Sequence, residues 1–127
     1  MLIDNVLIMK RTTGNRIVDL SFDFALRIIS FSEKLEENKK YAIAKQIIRS
    51  GTSIGANISE AQNSESRADF IHKLKIAAKE AEETEYWLLL CKYSDAYPFN
   101  EELLNMIIEI KKLLTSIINS SKKMMNY

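Results

Sequence analysis

The sequence predicts an all-α fold, an antiparallel up-down-up-down four-helix bundle. Three observations lead there. Breakers are scarce: 127 residues contain three glycines and one proline, too few for many short strands and their turns. Apolar residues recur at alternating spacings of three and four, the period of one helical face. Four such stretches are separated by connections of a few residues, which make consecutive helices antiparallel neighbours.

The first helix spans Asn15 to about Glu37. Ile17, Leu20, Phe24, Ile28, Phe31 and Leu35 form its main stripe. A second stripe of Val18, Phe22, Ala25 and Ile29 lies about 100° round the helix, so apolar groups cover more girth than one core-facing side needs. ENKK breaks the pattern. The second helix runs from Tyr41 to Gln62, with Ile43, Ile47, Ile54, Ile58 and Ala61 holding one phase through two glycines while Lys45, Arg49, Thr52 and Glu60 fall opposite.

Ser66, followed by Asp69 in an approximate capping box, opens the third helix. Its stripe is Phe70, Leu74, Ala77, Ala81 and Leu88, with further apolar residues on two other sides. Asn100, after Pro98, reads as the cap of the fourth, where Glu101 and Glu102 complement the helix dipole. Leu103, Ile107, Ile110, Leu114 and Ile118 make that helix one-sided, and the tail SSKKMMNY is expected to fray. Residues 15–127 thus read as one bundle domain. Residues 1–14, rich in Leu, Ile, Val and Met, do not fit it and read as an N-terminal arm, extended or disordered.

Composition excludes several functions. Eighteen Lys and Arg against seventeen Asp and Glu leave a formal charge of +1, so no global field draws the chain to nucleic acid or anionic lipid. No apolar run reaches the roughly 18 residues of a membrane span. MLIDNVLIM lacks the basic start and cleavage site of a signal peptide, and Cys91 stands alone, so a cytoplasmic, non-membrane protein is expected.

RSGTSIGANISEAQ, Arg49 to Gln62, concentrates small residues in mid-chain. A phosphate loop needs a longer glycine spacing and a following lysine and hydroxyl, which are missing here. As helix, Gly51 and Gly55 stand one turn apart in a row with Ala44 and Ile48. Each glycine costs about 1 kcal/mol relative to alanine in a helix interior, a loss that close approach of another helix offsets. The third helix, with Ala77, Ala78 and Ala81, is the expected partner.

RSGTSIGANISEAQ, SRADFIHKLKIAAKEAEETEYWL at Ser66 to Leu88 and DLSFDFALRII at Asp19 to Ile29 resemble the family of small bacterial four-helix-bundle proteins encoded in intervening sequences of 23S ribosomal RNA genes. The resemblance covers most of the chain, fading in the arm and after Tyr97. It implies a cytoplasmic homopentamer with no known enzymatic activity. The fold is similar to that of the accessory protein of diversity-generating retroelements, which binds a reverse transcriptase and nucleic acid through a basic surface. This chain departs from that pattern in being nearly neutral.

No catalytic constellation emerges. Asp69 and His72 form a D-x-x-H pair, but a di-iron bundle needs two such motifs and further inward carboxylates, and His72 is the only histidine. Ser50, Thr52 and Ser53 have no base at interpretable spacing and are expected to bond the preceding helical turn. Asn57 and Ser50, facing Glu80, Glu83 and Thr84, would set register through a polar contact. No cofactor, metal or small-molecule substrate is indicated. Lys39, Lys40, Lys45 and Arg49 are the candidate nucleic-acid contacts, with Lys111, Lys112, Lys122 and Lys123 a second group. The sequence reading is therefore a non-enzymatic oligomeric scaffold, acting with RNA or an RNA-handling protein. The alternative is a nucleic-acid-binding accessory factor whose weak basic surface is summed around a ring.

Overall fold

The computed structural model describes residues 12–125, which form four helices: α1 (Arg16–Glu37), α2 (Tyr41–Ala61), α3 (Arg67–Tyr93) and α4 (Glu101–Met125). Three of the four starts have a local cause in a capping side chain. The Asn15 side chain accepts the Val18 N–H at 3.4 Å, Ser66 accepts that of Asp69 at 3.0 Å, and Asn100 accepts that of Leu103 at 3.2 Å. These caps satisfy amide groups that the first helical turn leaves without partners. The Asp69 carboxylate in turn accepts the Glu65 N–H at 3.4 Å.

α1 ends in a Schellman motif. The Lys40 N–H bonds Leu35 C=O at 2.8 Å and the Lys39 N–H bonds Glu36 C=O at 2.9 Å. Lys39 occupies the left-handed position at φ +63, where glycine is usual. The chain then enters α2 at Tyr41 without a side-chain cap.

Contacts between ends make every neighbouring pair antiparallel. Asn15 bonds Gln62 at 3.2 Å while the Ser32 hydroxyl donates to Ala44 C=O at 3.3 Å, so α1 and α2 run oppositely. Lys92 meets Glu101 at 3.8 Å and Lys111 meets Glu82 at 2.9 Å, which sets α4 against α3. Arg27 reaches Glu102 at 2.7 Å and Arg16 pairs with Glu109, returning α4 to α1. α2 packs on α1 and α3, and α4 on α3 and α1. Two apolar sides of α3 are thus covered by its neighbours within the bundle, while Tyr86, Leu90 and Tyr93 stay exposed.

The core is one layer of large apolar residues. Phe24, Ile28 and Leu35 from α1, Ile47, Ile54 and Ile58 from α2, Leu74 and Leu88 from α3, and Leu103, Ile107, Ile110 and Leu114 from α4 are fully buried. The tail differs from expectation: α4 continues through Met125, with Ser121 buried against the bundle. Most of the arm, residues 1–11, lies outside the described residues.

Candidate functional site

The glycines of α2 face α1, correcting the expectation that α3 is their partner. A Cβ on Gly51 would lie 2.9 Å from both Cγ1 and Cγ2 of Ile28, and one on Gly55 would lie 3.3 Å from the Ser21 carbonyl oxygen. The missing side chains therefore let α1 settle against α2. Ala77 and Ala81 are fully buried on α3, but the groups nearest the glycines belong to α1. Residue composition revealed the close approach and not its direction, because small residues lie on both candidate partners.

Between α2 and α3 lies the polar contact expected from Ser50 and Thr84. Their hydroxyls are 2.8 Å apart and both residues are fully buried. Thr84 Oγ1 also lies 2.7 Å from Glu80 C=O. With one proton each, Thr84 donates to the carbonyl and Ser50 donates to Thr84, which leaves neither hydroxyl proton unpaired. Asn57 does not join them; its Nδ2 donates to Ser53 C=O at 2.8 Å on its own helix. Thr52 and Ser53 likewise bond back to Ile48 and Arg49 carbonyls, at 2.6 and 2.7 Å.

The predicted basic patch is broken up. Arg49 pairs with Glu83 and with Glu80 at 3.2 Å, and Glu83 also accepts the Trp87 indole N–H at 3.0 Å. Hydrogen bonding from Arg49 holds the Glu83 carboxyl below its ordinary range. Lys40 is drawn over the Tyr97 ring at 4.7 Å. Only Lys39 and Lys45 of that group remain exposed and outside ion pairs among the described residues. Of the second group, Lys111 is held by Glu82 and Glu85.

No cluster of three or more metal-ligating side chains occurs among the described residues. Asp69 is occupied by Lys73 at 3.0 Å, and His72 is exposed. Burial pushes the Cys91 thiol up to about 11, so it carries little thiolate at neutral pH. No described helix is long and apolar enough to cross a membrane.

What stands out is a groove of about 330 Å³ on the outer faces of α1 and α2. Phe22, Ala25, Leu26 and Ile29 line it from α1, and Thr52, Gly55, Ala56 and Ser59 from α2. Its lining is uncharged throughout. Ile29 is 41% exposed there, one of several large apolar side chains at the surface. The second stripe of α1 announced one wall. The other shows in the sequence only as small residues at positions 52, 55, 56 and 59, one face at helical spacing.

The model of the 23S rRNA-intervening sequence protein family matches residues 14–116. The chain belongs to this family. It is also similar to the crystal structure of a protein of unknown function from the S23 ribosomal protein family of Bacteroides thetaiotaomicron, at 52% identity and a TM-score of 0.75, over 80% of this chain and 97% of that one. No curated protein matches the chain. The family match begins at Gly14, two residues before α1, and leaves out the arm.

Proposed function

We propose that this family member is a non-enzymatic, cytoplasmic scaffold that assembles with copies of itself, as a homopentamer in the reading its family resemblance implies. The observation that carries the proposal is the uncharged α1/α2 groove, on whose α1 wall Ile29 is 41% exposed. A contact that joins this groove to a different face of the next copy is heterologous, and repeated contacts of that kind form a ring where the rotation between copies closes. Tyr86, Leu90 and Tyr93, exposed in one row on α3, form such a second face. Sedimentation equilibrium tests the proposal. The chain should associate at micromolar concentration, and Ile29→Asp should weaken association about tenfold or more, because a buried aliphatic contact is worth about 1.5–3 kcal/mol. A unmodified chain that stays monomeric refutes it.

Contact with RNA is the second reading. It is favoured by Lys39, Lys45, Lys75 and Lys79, which are exposed and outside ion pairs among the described residues and would be repeated around a ring. Phosphate contacts make affinity fall steeply with salt. RNA retention on a filter at two salt concentrations, with and without Lys45→Glu, decides it: absence of retention at low salt removes this reading.

A further inference from the structure

We propose that the α1/α2 groove receives the outer face of α3 from a second copy, laid antiparallel to α1 so that Lys79 of one copy meets Glu36 of the other. This rests on the self-association reading and adds to it a direction and an ion pair. Length is the first support. Phe22, Leu26 and Ile29 make the apolar α1 wall of the groove, and Tyr86, Leu90 and Tyr93 make the exposed apolar row of α3. From Phe22 to Ile29, as from Tyr86 to Tyr93, the helix advances by about 10.5 Å. The two rows therefore match end to end. The opposite wall, from α2, is built of the small side chains Thr52, Gly55, Ala56 and Ser59, which leave room for tyrosine rings.

Charge supplies the direction. Two helical turns beyond Ile29 stands Glu36, and two turns before Tyr86 stands Lys79, both exposed and outside ion pairs among the described residues. Each step is the same number of residues, about 10.5 Å along the axis, and returns to within about 20° of the same face. With the helices antiparallel and the apolar rows in register, Lys79 thus comes level with Glu36 on the facing side. With the helices parallel it would come level with Asn15, where Arg16 already pairs with Glu109 and the free carboxylate nearest by, Glu60, lies about 100° round α2 from Ser59. The antiparallel register contains one like-charged meeting, Glu82 against Glu33. Both sides relieve it: Lys111 holds Glu82 at 2.9 Å within its own bundle, and the exposed Lys45 of α2 stands level with Glu33, since the neighbouring pair Ser32 and Ala44 are bonded.

A charge-reversal cycle on the full chain, read by sedimentation equilibrium at low salt, tests the pairing. Lys79→Glu and Glu36→Lys, each of which sets like charges against one another, should weaken association about tenfold. The two together should restore it to within about threefold of the unmodified chain, because the ion pair is re-formed with its signs exchanged. All four positions of the cycle are at the surface, and circular dichroism with urea unfolding checks that each variant keeps its fold. Single reversals without effect, or a double variant as weak as the singles combined, would overturn the proposal. Rescue of Lys79→Glu by Glu60→Lys in place of Glu36→Lys would overturn the antiparallel direction. Association that Ile29→Asp weakens and the charge variants leave unchanged overturns this pairing alone, whereas an unmodified chain that never associates overturns it together with the self-association reading.

Discussion

Gly51→Ala should destabilise the protein although alanine is the better helix former. Taken alone, the helix-propensity term favours the substitution by about 1 kcal/mol. Against it, the new methyl would lie 2.9 Å from two Ile28 carbons, and Ile28 is fully buried with its β-branch fixed between α1 and α2. Neither contact is to the far end of a flexible side chain, so α1 must shift or Ile28 must leave its rotamer. Overpacking of this kind costs about 1–3 kcal/mol. The net expectation is a loss of about 0–2 kcal/mol, read as a lowered urea midpoint at unchanged slope. The mechanism is isolated by combining the substitution with Ile28→Ala, which removes both clashing carbons. That change alone costs about 2–5 kcal/mol, but the double variant should be more stable than the sum of the singles predicts by about 1–3 kcal/mol. A Gly51→Ala protein stabilised by the full propensity gain, or additive singles, would refute the reasoning.

The other expectations are simpler. Thr84→Val keeps the shape but strands the Ser50 hydroxyl in the core and should cost about 1–3 kcal/mol in urea unfolding, less when combined with Ser50→Ala. Lys39→Gly should raise stability by up to about 1 kcal/mol, because a side chain in the left-handed region is strained and glycine there is not. Glu83 has its carboxyl lowered by Arg49, so its contribution is present above the ordinary carboxylate range and is lost as pH falls through the depressed value; unfolding followed below neutrality should show a shallower acid limb in Glu83→Gln, with the difference shrinking in high salt. Cys91 should react slowly with a disulfide reagent at pH 8 and rapidly once urea exposes it, since its thiol lies near 11 in the fold.

The fold was legible because its signals are local. Asn15, Ser66 and Asn100 cap where their sequence neighbours require, and the aliphatic period fixed which face of each helix is buried. The pairing of surfaces was less so. Arg49 looked like a free basic residue because Glu80 and Glu83, which neutralise it, are about thirty residues away on another helix. Asn57 had the same apparent phase as Ser50, yet its amide is taken up by the preceding turn of its own helix. Helical spacing states which residues share a face. It does not state which neighbour that face meets.

The close helix contact and the groove have one geometric origin. Gly55 lets the Ser21 carbonyl sit where a Cβ would be in tight contact, and the same glycine lines the groove on the outer side of that contact. Drawing α1 onto α2 along Ser21 and Ile28 turns Phe22, Leu26 and Ile29 past the core and leaves them beside the small residues of α2. Substitutions at the two glycines should therefore separate. Gly51→Leu acts in the core, against Ile28, and should lower monomer stability. Gly55→Leu presses on backbone of α1 and also fills the groove, so it should weaken self-association as well as stability. Sedimentation and urea unfolding measured on Gly55→Leu at a temperature where it remains folded decide the point: loss of stability with unchanged association would show that the groove is a by-product of helix packing and not an interaction surface.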